Sequence, residues 1–161
     1  MSATVLRANT MLENALRTFL LSKSQIAALV GTRIHVGDFV PLAVTDMPAI
    51  GFESDQVGDL QCLDGTICDL QFPVFRVVAK GQLYVDSHRL MRLVQAAFRG
   101  VPLGMSVETT VDGATTTVVI VQVDLLTEPA NEPEEDYGHG FTIKPVAMKI
   151  RVGWRVPVTT I

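Results

Sequence analysis

Four acids and a histidine crowd one stretch of an otherwise apolar chain: Glu132, Glu134, Glu135 and Asp136 stand close to His139 in "NEPEEDYGHGF", residues 131–141. Carboxylates beside a histidine suit general acid and base work, cation binding, or neither, as a solvated loop. Acid–base catalysis needs two carboxylates fixed on facing rigid elements, whereas these are neighbours on a loop broken by Pro129 and Pro133. Calcium takes oxygen ligands in a D-x-D-x-D-G order, which is missing here. Runs of like charge repel and extend, so the composition predicts a solvated, flexible, Pro-rich acidic loop over 127–140.

Other chemistry finds little footing. His35, His88 and His139 fall in an irregular extended piece, a first helical turn and the acidic loop, none at ligand spacing from another His or Cys. No G-x-S-x-G elbow, P-loop or G-x-G-x-x-G stretch occurs. Trp154, Tyr84 and Tyr137 are too separated to stack bases, and Trp154 falls on an apolar strand face, where burial is expected. The expectation is a protein with no catalytic residue, no metal and no cofactor. Thirteen Lys and Arg against 17 Asp and Glu give a net charge of −4, which offers no basic excess for holding nucleic acid.

The elements that must position these residues are legible from periodicity. Val5, Ala8, Leu12, Ala15, Leu16, Phe19 and Leu20 recur at helical spacing, and Ser24 is placed to cap a short second helix that Gly31 ends. A further helix in "DSHRLMRLVQAAFRG" is predicted to be capped by Asp86 or Ser87, to bury Leu90, Leu93, Val94, Ala97 and Phe98, and to stop at Gly100. Arg89, Arg92, Gln95 and Arg99 stay off that stripe, giving a basic outer side. Asp64-Gly65 and Asp112-Gly113 each signal a two-residue hairpin, and a bulge near Pro73 would explain the parity change between Val74 and Phe75. "PVAMKIRVGWRVP" puts Val146, Met148, Ile150, Val152, Trp154 and Val156 on one face and Lys149, Arg151 and Arg155 on the other. Ala49 to Ser54 is the best strand of the Pro-broken stretch before the first hairpin.

Strands grouped in runs between helices predict one α+β domain over 1–161, a mostly antiparallel sheet with helices packed on one face. The first 21 residues are interrupted by Arg7, Asn9, Glu13 and Arg17, so neither a signal-peptide core nor a membrane span is expected. Cys62 and Cys68 would point to opposite sides of the Asp64-Gly65 hairpin, which predicts reduced thiols. No Lys or Arg occurs between Arg99 and Lys144, so charge is segregated along the chain, as suits self-association or a partner surface.

Four stretches in order, "IAALVGTRIH" after an amphipathic helix, "MPAIGFES", "DSHRLMRLVQAAFRG" and "GFTIKPVAMKIRVGW", resemble the tail-completion, or tail terminator, proteins of tailed bacteriophages. The resemblance spans residues 11–157, and two segments, 36–47 and 128–140, are longer than the family pattern. It implies a non-enzymatic virion protein, assembled in the host cytoplasm, that forms a ring, typically a hexamer, on the head-proximal end of the tail tube. There it would stop tube growth and meet the head-completion or connector proteins. DNA would cross the lumen without specific binding. On this reading Arg89, Arg92 and Arg99 lie near one ring edge or face, and Glu132, Glu134, Glu135 and Asp136 near a neighbour or the lumen. Competing readings are another neck component, a tail tube subunit, a small metal-dependent hydrolase using residues 132–139, and nucleic-acid binding by the basic helix.

Overall fold

The computed structural model describes residues 3–37, 39–56, 70–111 and 113–155. Two helices open the chain. Helix α1, Ala3–Leu21, buries Met11, Leu12, Ala15, Leu16, Phe19 and Leu20, the continuation of the predicted stripe. Helix α2, Ser24–Val30, ends at Gly31, whose N–H donates to Ala27 O at 2.8 Å. Its cap differs from expectation: Lys23, in extended conformation, is the N-cap, and Ser24 is already helical with no capping bond.

The strands are β1 (Ile34–Val36), β2 (Ala49–Gln56), β3 (Leu70–Gln71), β4 (Val74–Gly81), β5 (Met105–Val111), β6 (Ala114–Leu125), β7 (Ala130–Asn131) and β8 (Lys144–Arg155). Helix α3, Tyr84–Arg99, connects β4 to β5. They form one curled eight-stranded sheet in the order β1-β2-β4-β8-β6-β5, with β3 and β7 each added to β8. Among the described residues only β1 and β2 run parallel, and every other pair is antiparallel. The architecture is α+β, as composition and periodicity predict.

Strand β8 is the spine. It pairs with β3 and β4 along one edge and with β6 and β7 along the other, so its whole length is laddered. Val146, Met148, Ile150, Val152 and Trp154 all face the helices and are buried, while Lys149, Arg151 and Arg155 are exposed. The helical side also receives Ile50 and Phe52 of β2, Phe75, Val77 and Ala79 of β4, and Val118 and Ile120 of β6. Against them α3 packs Leu90, Met91, Val94 and Phe98.

Two further local expectations change. Helix α3 starts at Tyr84 with Leu83 as N-cap, and the Ser87 N–H already donates to Leu83 O, so neither Asp86 nor Ser87 caps it. Ser87 is instead buried and donates to Lys144 O at 2.5 Å. Pro73 does not bulge against β8: it keeps a carbonyl that accepts the Val152 N–H at 3.0 Å, and Gln71 opposite Trp154 continues in step with Val74 opposite Arg151. The irregularity falls on β2, between Ser54 and Gln56. Val111 pairs with Ala114, as the Asp112-Gly113 turn predicts. The Asp64-Gly65 hairpin, both cysteines and Val156 lie outside the described residues.

Among the described residues, no α-helix packs on the second face of the sheet. Here Gly51 and Gly153 let aromatic rings lie on bare backbone: a Cβ on either would stand 2.8 Å from Cε1 of Phe39 or Phe72, respectively. On this side lie Phe39, over Gly51, and the strap acids Glu132 and Glu135, paired with Arg76 and Lys80.

Candidate functional site

Of the charged groups singled out in the sequence, the acids of the loop meet cations on this second face and at the N-terminal end of β8. Alternation along β4 turns Phe75, Val77 and Ala79 to the core, and so turns Arg76 and Lys80 to the other side. A cation on the inner strand of a covered sheet needs an acid close by. The acidic loop supplies it.

Lys80 is only 4% exposed. Its Nζ donates to Glu135 Oε2 at 3.1 Å and to Phe39 O at 2.8 Å, and lies 4.9 Å from the centre of the Phe39 ring. Phe39 in turn stacks on His35 at 4.3 Å between centroids. Arg76 bridges Glu53 at 2.9 Å and Glu132 at 3.1 Å. Burial works against the Arg76 charge, but hydrogen bonds and charge from Glu132 and Glu53 outweigh it and hold its pKa above the ordinary value. Glu134 pairs with Lys144. Asp136 is exposed and accepts the Gly138 N–H at 2.9 Å.

The other flank of the loop is tied to α3. Tyr84 Oη donates to Glu132 O at 2.6 Å, His88 Nε2 lies 2.5 Å from Asn131 Oδ1, and Gln95 Nε2 donates to Glu128 Oε2 at 3.1 Å. Gln95, expected on the outer helix face, is therefore buried. Pairing of Ala130 and Asn131 with β8, and a bridge between Glu135 and Ile143, complete the attachment. The loop is solvated, as its composition predicts, with no residue of 127–140 buried, and it is also attached to the fold at several points. It is a strap clamped between α3 and the charged face, because cations from β4 and β8 neutralise the run of acids whose mutual repulsion would otherwise extend it.

Each of Glu132, Glu134 and Glu135 is directed to a different cation, and His139 stacks loosely on Phe141 at 6.2 Å. Among the described residues no group of three or more His, Cys, Asp or Glu is disposed to hold a metal ion. Nor, among them, is any helix long and apolar enough to cross a membrane.

The three predicted arginines separate. Arg99 lies 3.8 Å from Glu128, both well exposed, a contact worth little in water. Arg89 and Arg92 are exposed and make no ion pair among the described residues. Arg89, with Gln82 and Asp86, borders a cleft of about 180 Å³ between α2 and the start of α3, floored by Leu29, Met47, Pro48 and Gly81. Two further groups are shifted by burial. Glu13 on α1 is pushed up to about 7, and His35 is lowered, by burial first and then by the Arg17 charge.

Lys80, Arg76, Tyr84 and the cleft escape a search for catalytic spacings. The signal was present in "VFRVVAKG": two cations four residues apart on one parity of an otherwise apolar strand point to a face that must find counter-charges. A scan of known protein families finds no matching model, and a search of curated proteins finds no significant match.

Proposed function

We propose that this chain is a structural ring protein of the phage tail terminator type, which closes the head-proximal end of a tail tube and offers a docking surface to head-completion or connector proteins. The observation that carries the reading, beside the four-stretch resemblance, is the fate of the acidic loop. Glu132, Glu134 and Glu135, the groups a hydrolase would use, hold a strap to the sheet through Arg76, Lys144 and Lys80. A surface fixed at both flanks is pre-organised for protein contact. Arg89 and Arg92 remain on α3 as cations for a neighbour, and Asp136 is the loop acid left to face a neighbour or the lumen. Neutralisation of the other three acids leaves the strap with little field to repel passing DNA, so its role in this reading is docking. The protein would work in the virion, at the junction of head and tail.

Electron microscopy of the purified protein, alone and with the cognate tail tube protein, tests the reading. Closed rings that cap tubes and halt their growth are expected. Long cylinders of this chain alone would make it a tube subunit, and metal-dependent hydrolytic turnover abolished by Glu135→Gln would replace the structural reading with an enzymatic one.

A further inference from the structure

Helix α3 carries a protruding apolar side chain beyond one end and an apolar recess at the other. Leu103, on the turn to β5, is 83% exposed, the most of any large apolar residue described. Its turn is tethered, with Val101 N–H donating to Phe98 O at 3.2 Å and Gly104 N–H to Val121 O at 3.3 Å. At the N-terminal end lies the cleft over Leu29, Met47, Pro48 and Gly81, with Leu83 and Val85 exposed on the adjoining first turn. A volume of about 180 Å³ equals roughly six waters, room for a leucine side chain.

We infer that Leu103 of one copy seats in the α2–α3 cleft of the next, a head-to-tail contact between copies of this chain. The inference rests on the ring reading for the identity of the occupant. Two observations favour a second copy. Knob and recess stand at opposite ends of a 16-residue helix, about 24 Å apart, so one cannot fill the other within a chain and each copy offers both halves of a heterologous joint. The alternative head-to-tail route, through the sheet edges, is obstructed. Ile50 N–H donates to Arg33 O and Gly37 N–H to Phe52 O, so Ile34 turns its carbonyl to the open side of β1. There Arg17 Nε donates to Ile34 O at 2.9 Å, and Arg17 Nη2 donates to Thr32 O at 3.1 Å. A cationic side chain across a strand edge blocks strand addition.

Sedimentation velocity on wild type, Leu103→Asp, Gln82→Trp and an equimolar mixture of the two variants tests this. Both positions are exposed, so both variants should fold, with circular dichroism melts matching wild type as the control. Leu103→Asp removes the knob and Gln82→Trp plugs the recess. Wild type should assemble into closed oligomers, and each variant should lose about thirtyfold or more in association constant. The mixture should give one-to-one dimers and nothing larger, because it restores a single joint. Variants that both assemble like wild type, or a mixture that stays monomeric, overturn this contact while leaving the ring reading intact. A wild type that is monomeric at every concentration up to its solubility limit overturns the ring reading, and this contact with it.

Discussion

The two faces of the sheet solve the same problem, covering a strand layer, with opposite chemistry. Under the helices, β2, β4, β6 and β8 present a continuous apolar layer against which three amphipathic helices close. On the other face, Lys80 and Arg76 hold the strap through Glu135 and Glu132, Lys149 ties β8 to Asp55 of β2, and aromatic rings lie on Gly51 and Gly153. Apolar burial is non-directional and tolerates approximate partners, whereas ion pairs under a loop require particular residues to meet. The first face is therefore where stability should concentrate, and the second is where a surface of defined shape is made.

The largest expected effect tests the helical face. Trp154 is fully buried on β8, and Trp154→Ala should cost about 3–5 kcal/mol in chemical denaturation. Its indole N–H has no hydrogen-bond partner among the described residues, so Trp154→Phe should cost far less. Equal losses for the two would show that the N–H, and not packing, matters there.

A smaller effect tests the charged face. Glu135→Ala takes the carboxylate from the buried Lys80 ammonium, which keeps its bond to Phe39 O, and should cost about 2 kcal/mol, less than a fully buried pair because Glu135 retains some exposure. The double change Lys80→Met with Glu135→Leu should recover most of that loss. If it is as unstable as the single variant, the strap is held by packing rather than by charge, and the contrast between the faces weakens.

The last is a pH effect. Glu13 has its pKa raised from 4.5 to about 7, so the folded state holds a proton that the unfolded chain releases. Its stabilising share is complete below pH 4.5 and is lost as pH rises through about 7. Glu13→Gln should match wild type in acid and gain on it progressively toward pH 8; parallel stability–pH curves would contradict this. His35 has the opposite sign, its lowered pKa favouring stability above the ordinary histidine value and losing it as pH falls.

The helical face was legible because periodicity records it directly: the alternation from Val146 to Trp154 and the stripe from Leu90 to Phe98 are properties of single segments. The charged face was not, because no local pattern says that Glu135 meets Lys80 across 55 residues, or Arg76 meets Glu132. Read alone, the strap's acids predict repulsion and extension, and only the fold supplies their counter-ions. Ser24 and Ser87 show the same limit at short range, since a serine near a helix start fits a cap in sequence whether or not the backbone turns there.

Lys80 also sets how this surface can change over generations. One ammonium holds the backbone of Phe39 and the carboxylate of Glu135, so segments far apart in sequence are inherited as a unit. A recombinant that exchanges the strap for one without an acid at that position would leave Lys80 without that carboxylate. It would then need compensating change on β4 before the exchanged strap could be held as firmly.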